Sequence, residues 1–372
     1  MAITWINSNI LGSGLPGSVG LSIQNADGVV VLSGFSFGWN SGPALEAVGV
    51  GNFIHVLGQV YGLDGAIRLS DAASPLAGHR LVVGAEGSVW GKGAAGVYSV
   101  SGNSSILNNG TIGGDYSAIT IEESGAESHS RLVNRGEVVG NTAAIRLYLF
   151  NGADYTLENM AGGVINGGAI GVLVDCSNSC DVTIVNAGLI TAAGDAITTD
   201  SPAKTISLTN SGRIEGAILL GNSRDRVDNR QGQIEGDVRL GGGADRFQGG
   251  ARAESVEGGA GLDALSGGGG ADVFVYARAS HGRDKISDWQ GIDRFEVDAS
   301  GFGGGLALGA LAAGRFHAGA TNKAQDANDR FVFRTTDATL WFDKDGKGGA
   351  AAVLIADLQA GAKVVAGDIF VV

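Results

Sequence analysis

One phrase recurs along the middle of the chain at a nearly constant interval, and it restricts the possible folds more than any other feature. It reads Asn-x-Gly-x-(Ile/Val), with a short Ala-Ile step after it. It occurs as Asn108-Asn109-Gly110-Thr111-Ile112 before Ala118-Ile119, and as Asn134-Arg135-Gly136-Glu137-Val138 before Ala144-Ile145. Asn159 to Ile165 carries it with extra residues, before Ala169-Ile170. Asn186 to Ile190 precedes Ala196-Ile197, Asn210 to Ile214 precedes Ala217-Ile218, and Asn229 to Ile234, with one insertion, precedes Val238. Successive asparagines are 26, 25, 27, 24 and 19 residues apart. A period of about 25 predicts the coils of a parallel β-solenoid, each with about three short strands, whose apolar residues stack one coil upon the next. The asparagines are expected to form an amide ladder, and the glycines to turn corners at positive φ. Echoes without the Asn, at Gly84 to Val89 and Leu57 to Ile67, place the solenoid at 53–239, with 1–52 as an N-terminal coil or cap. An antiparallel sandwich of short strands competes but does not explain the phrase.

Composition agrees with an all-β chain. Glycine supplies 65 of 372 residues and proline 4, with no Gly-X-Y period, which excludes collagen. So much glycine opposes a helical bundle, because each helical Gly costs about 1 kcal/mol relative to Ala. The net charge of −13 argues against a nucleic-acid or anionic-membrane partner and is compatible with cations. No apolar run is long enough for a bilayer-spanning helix, so no membrane span is expected. The opening residues MAITWINSNILGSG show neither a basic segment nor a continuous apolar stretch, so no N-terminal secretory signal is visible. Cys176 and Cys180 have no nearby His and cannot supply a four-ligand zinc site. They read as a small disulfide loop if the protein is extracellular, or as two free thiols.

From residue 240 the period shortens to nine. Gly258 to Ser266 and Gly267 to Val275 match Gly-Gly-x-Gly-x-Asp-x-U-x at every fixed position, U being a large apolar residue. Leu240 to Gln248 lacks only the leading Gly. Gly249 to Glu257 is degenerate, with Arg252 in place of the third Gly and Glu254 in place of Asp. The spacing predicts a Gly-rich turn ending in a carboxylate, then a three-residue strand whose middle side chain (Phe247, Val256, Leu265, Phe274) points inward. Two nonapeptides make one coil, so turns 18 residues apart stack. Asp245 and Asp263 fall on one side, and Glu254 and Asp272 on the other. Each pair, with turn carbonyls, supplies the six or so hard oxygens that Ca²⁺ prefers over the strict octahedron of Mg²⁺. The candidate metal residues are Gly241, Gly243, Asp245, Glu254, Gly258, Gly259, Gly261, Asp263, Gly267, Gly268, Gly270 and Asp272. An upstream echo, Gly221 to Val227, parallels Gly241 to Phe247 at a spacing of 20 and makes Asp225 a further possible ligand.

The nonapeptides resemble those of the RTX (repeats-in-toxin) family of calcium-binding β-rolls. Residues 276–372 resemble the C-terminal flanking domain that follows such repeats in serralysin-type proteases and alginate epimerases. The residues that carry this are Asp284 to Trp289, Gly291 to Phe295, Arg330 to Phe333, Leu340 to Gly348 and the end Gly367 to Val372. The likeness covers about a third of the chain. It implies an all-β protein: a parallel β-helix continuing into a calcium-binding β-roll at 240–275, then a β-rich flanking domain at 276–372 with an uncleaved signal for the type I secretion apparatus. It also implies a secreted, extracellular or cell-surface location, and an array that stays unfolded where free Ca²⁺ is scarce and folds on metal outside.

No catalytic constellation stands out. His-Glu-x-x-His is absent, and His55, His79, His129, His281 and His317 are scattered. Gly34-Phe35-Ser36-Phe37-Gly38 matches a nucleophile elbow, yet no α/β pattern surrounds Ser36. Asp343 and Asp345 before Gly346 resemble half a calcium loop, but Leu354 stands where a twelfth-position Glu belongs, so this reads as a surface turn. Two functions are carried forward. The first is a structural or adhesive calcium-binding solenoid of the cell surface or matrix, with self-assembly or a surface polysaccharide as partner. The alternative is a polysaccharide lyase, epimerase or hydrolase on the β-helix, using Asp195 and Asp200 or Asp225 and Asp228.

Overall fold

A computed structural model describes residues 2–12, 19–70, 78–125, 128–178, 180–199 and 204–372. The protein is all-β, with 4% helix and 53% strand, and forms a parallel β-solenoid of about 11 turns. It divides into two compact units, Met1–Ala217 and Ile218–Val372.

The first unit is built from three columns of parallel strands. One column starts at Ile3–Ile6 and Gly28–Val31 and runs through Phe53–Val56 and Ser105–Asn108 to Lys204–Asn210. Its inward residues stack in register as Val29, Ile54, Leu81, Ile106, Leu132, Leu157, Ile184 and Leu208, each at most 1% exposed. In the second column the apolar residues of the recurring phrase stack as expected: Ile112 on Val138, Val138 on Ile165, Ile165 on Ile190. Within 1–52, expected as an N-terminal coil or cap, the described strands stack in the same register as the rest: Ile3 pairs with Gly28, Gly28 with Phe53, and Leu21 with Leu45.

Two expectations need correction. Ala169-Ile170 is not the Ala-Ile step of its coil. The third-column core residue lies seven positions after the phrase's apolar residue, so Val172 stacks between Ile145 and Ile197, while Ile170 faces Ala143 and Asp195. The glycines of the phrase also have another purpose. Gly110, Gly136, Gly188 and Gly212 are not at positive φ. A Cβ on each would lie 2.0–2.2 Å from a carbonyl oxygen of the coil before it. Close backbone stacking, and not corner geometry, demands glycine there.

The amide ladder is present. Asn108, Asn134, Asn159, Asn186 and Asn210 are all buried, and each of the first four donates from Nδ2 to Oδ1 of the next at 2.7–2.8 Å. The same Nδ2 groups donate to carbonyls of the following coil, for example Asn134 to Val164 at 3.1 Å. Coils before Asn108 carry Val31, Val56 and Val83 at the equivalent position, so the ladder begins where the polar residues do. Cys176 and Cys180 are joined by a disulfide, and both are buried.

The second unit has shorter coils. Arg226–Asp228, Arg246–Gln248, Ala264–Ser266 and Asp284–Ile286 form one parallel column. Asp237–Arg239, Ser255–Glu257, Val273–Tyr276 and Arg294–Val297 form the other. Short coils therefore begin before residue 240 and continue past 275: strands on both sides of those limits pair in register with the nonapeptide strands. The C-terminal chain completes both columns. Val353–Leu358 pairs parallel with Asp284–Ile286, and Ile369–Val371 with Arg294–Val297. Antiparallel partners follow, Thr339–Phe342 on the first column and Gly309–Ala310 on the second. The terminal Ile369–Val371 thus lies between two strands, with Ile369 and Val371 buried. Phe274, Trp289 and Phe295 pack beneath them, Trp289 and Phe295 stacked at 4.3 Å.

Candidate functional site

The nonapeptide strands set the geometry of the site. Phe247, Val256, Leu265 and Phe274 all point into the core, none more than 2% exposed. A residue two positions earlier then lies in the turn, at the margin of the stack. That position is held by Asp245, Glu254, Asp263 and Asp272, all at most 3% exposed. Burying four carboxylates is costly unless each is paired or hydrogen-bonded.

One oxygen of most of these carboxylates is provided for. Asp245 Oδ1 accepts the Asp225 amide at 2.7 Å, and Asp263 Oδ1 accepts the Asp245 amide at 2.8 Å. On the other side Asp272 Oδ1 accepts the Glu254 amide at 2.9 Å. Glu254, one methylene longer, instead takes Asn229 Nδ2 at 3.1 Å on Oε1. Two carboxylate ladders result, one on each side of the coil, with the 18-residue pairing expected. They also extend into residues outside the nonapeptides. Asp284 Oδ1 accepts the Asp263 amide at 3.0 Å, and Asp293 Oδ1 the Asp272 amide at 3.1 Å. Asp284 and Asp293 were missed from sequence. Both sit in the pattern Asp-x-apolar (Asp284-Lys285-Ile286, Asp293-Arg294-Phe295), the last half of the nonapeptide without its glycines.

The second oxygen is different. Asp245 Oδ2, Glu254 Oε2, Asp263 Oδ2, Asp272 Oδ2 and Asp284 Oδ2 are buried with no hydrogen-bond partner. Burial first, and then the facing carboxylates, pushes the carboxyl of Asp245 up to about 8 and that of Glu254 up to about 7. Asp284 is likewise pushed up to about 8, by burial and by Asp263. Burial raises Asp263 and Asp272 as well.

Glycine makes room for these oxygens. A Cβ on Gly258 would lie 2.5 Å from Asp263 Oδ2, and one on Gly267 2.1 Å from Asp272 Oδ2. Gly241, Gly243, Gly259, Gly268 and Gly270 have positive φ, and a Cβ on Gly259 or Gly261 would lie 1.8 or 1.6 Å from the carbonyl oxygen of Gly241 or Gly243 in the turn above. The stacked turns pair Gly242 with Ala260 and Gly243 with Gly261. The degenerate repeat departs from this: Gly250 is not at positive φ, and Arg252 stands where the other turns have glycine.

Buried oxygens without donors, facing in pairs across glycine turns, form a donor set that suits a hard, oxygen-seeking cation. No group of three or more His, Cys, Asp or Glu side chains suited to a metal occurs among the described residues.

The other candidates fall elsewhere. Asp225 is buried at the head of one ladder. Asp228 is held by Arg230 through two bonds of 2.9 and 2.7 Å, and these hold its carboxyl below the usual range. Asp195 is half-buried opposite Ile170 in the first unit, and Asp200 lies outside the described residues. Asp343 and Asp345 bond within their own turn, Asp345 accepting the amides of Gly349 and Ala350. A groove of about 470 Å³ on the first unit is lined by Tyr98, Tyr116, Arg68 and Asp64, among others. No helix among the described residues is long and apolar enough to cross a membrane. No family model, curated protein or solved structure matches the chain.

Proposed function

We propose that this is a secreted, calcium-binding β-solenoid of the RTX type, acting as a structural or adhesive component of the cell surface or extracellular matrix. The observation that carries the reading is the set of buried carboxylate oxygens without hydrogen-bond partners in the glycine turns. Asp245 with Asp263, and Glu254 with Asp272, would hold the cation together with turn carbonyls. Bound calcium would supply the charge neutralisation that buried, mutually repelling carboxylates otherwise lack. The Asp245 and Asp263 amide ladder keeps the two turns in register, and the glycines keep the space between them open. Where calcium is scarce the array would remain unfolded, fit for passage through a type I secretion channel; outside, metal affinity becomes folding free energy. The buried Cys176–Cys180 disulfide supports an oxidising location.

A surface glycan is the partner favoured by the groove of Tyr98 and Tyr116. Arg68 lies over the Tyr98 ring and Arg146 over the Tyr116 ring, so a glycan would be met by polar groups at the groove, Asp64 among them, more than by open ring faces. This bears on adhesion more than on catalysis. Calorimetric titration of the chelator-stripped chain tests the calcium reading. Saturable calcium uptake that millimolar Mg²⁺ does not displace is expected; no heat and no uptake would overturn it.

A further inference from the structure

We propose that the calcium ladder runs one rung beyond the nonapeptides on one side only, with a further cation held between Asp263 and Asp284, while the matching position between Asp272 and Asp293 is closed by protein alone. The inference rests on the calcium reading above and extends it to residues that no glycine repeat marks.

Asp284 reproduces each feature of the repeat carboxylates. It is 0% exposed, its Oδ1 accepts the amide one coil above, and its Oδ2 is buried without a partner. Around it the Tyr276 hydroxyl and His281 Nδ1 are buried and also lack partners. The Tyr276 hydroxyl lies close enough to the Asp284 carboxyl to stabilise its charge, yet neither it nor Asp284 Oδ2 or Asp263 Oδ2 has a partner of hydrogen-bond geometry. A divalent cation bound by oxygen satisfies both carboxylates.

The opposite side has the same register and a different ending. Asp293 Oδ1 accepts the Asp272 amide, but its Oδ2 accepts the Gln290 amide at 2.6 Å. Asp288 accepts Ser266 Oγ at 2.6 Å and the Gly267 and Gly268 amides at 3.0 and 2.8 Å. Both oxygens of Asp288 and of Asp293 are used, so the one orphan oxygen on that side, Asp272 Oδ2, has Glu254 Oε2 as its unpartnered counterpart and none on Asp293.

The test is the number of calcium ions bound by the full chain, counted by native mass spectrometry for the wild type, Asp284→Asn and Asp293→Asn. Asparagine keeps an Oδ1 for the ladder amide, so both variants retain that bond. The Asp284→Asn chain is expected to bind one ion fewer than the wild type, and the Asp293→Asn chain the same number. Equal counts for Asp284→Asn and wild type, or a lost ion in Asp293→Asn, would overturn the inference while leaving the calcium reading intact. A wild type that binds none would overturn both. A second readout does not depend on the carboxylates: Tyr276→Phe should keep the calcium count but lower tyrosine-sensitised Tb³⁺ emission, and unchanged emission would contradict the placement.

Discussion

The backbone amide of Asp245 donates to Oδ1 of Asp263, 2.8 Å away, while Oδ2 of the same aspartate is buried with no donor. One carboxylate thus has two assignments. One oxygen fixes the register of successive coils, and the other would be free for the proposed cation. Replacing Asp263 with Asn keeps the first and weakens the second. It should leave the folded coil intact at saturating calcium but raise the calcium concentration needed for half-folding by tenfold or more, about 1.4 kcal/mol. A circular dichroism titration of the variant against wild type measures the shift.

The pH dependence has a definite sign. Asp245, Glu254 and Asp284 hold their protons more tightly in the folded coil than in the unfolded chain, with folded values of about 8, 7 and 8. Between about pH 4 and 8 the folded state therefore carries more protons, and stability falls as pH rises through that window. Without metal the second unit should be most ordered near pH 4–5 and least ordered at pH 8. With calcium the order reverses, because ligand carboxylates must be ionised, and binding should release protons. Glu123 in the first unit is also pushed up to about 7 by burial, so the measurement must resolve segments, as hydrogen exchange followed by mass spectrometry does. Order in the second unit that rises with pH in chelator would contradict the account.

The turn glycines yield a steric prediction. An alanine at Gly267 would set its Cβ 2.1 Å from Asp272 Oδ2, in the space assigned to the cation. Gly267→Ala should weaken calcium-induced folding by at least tenfold, whereas Gly291→Ala, with nothing within 4 Å of its Cβ position, should leave it unchanged. Calorimetric titration of the two variants separates these outcomes.

The first unit is expected to be indifferent to calcium and sensitive to its asparagines. Asn159 donates to Asn186 at 2.8 Å and accepts from Asn134 at 2.8 Å, all three buried. Asn159→Ala removes the amide donor to Asn186 Oδ1 and one of the acceptors of Asn134 Nδ2, and should cost about 1–3 kcal/mol, read as a lower midpoint in chemical denaturation with and without chelator. A midpoint equal to wild type would count against the ladder.

Much of this was legible in the sequence, for stated physical reasons. A strand that stacks on its copy one coil away must repeat its inward residue, so the phrase at Asn134 to Val138 announces the solenoid and its ladder. Asp245 and Asp263 announce their rung because glycine turns of fixed length leave few alternatives. What escaped was whatever the chain accomplishes without repeating itself. Ile6, Val31, Val56 and Val83 continue the asparagine column with apolar side chains, so the first two coils gave no phrase to read and the next two only an echo of it. Asp284 and Asp293 reach ladder positions from turns of other lengths, and only the Asp-x-apolar triplet marks them. The use of Gly136 was misjudged because sequence does not distinguish a glycine needed for φ from one needed for a close carbonyl.

The most direct measurement of the central claim is hydrogen exchange across residues 240–297 in the full chain, with chelator and with millimolar calcium at pH 7.5. The account predicts fast exchange in chelator and strong protection of the Asp245, Glu254, Asp263 and Asp272 amides in calcium, with the first unit unchanged. Equal protection of those amides in both conditions would contradict it.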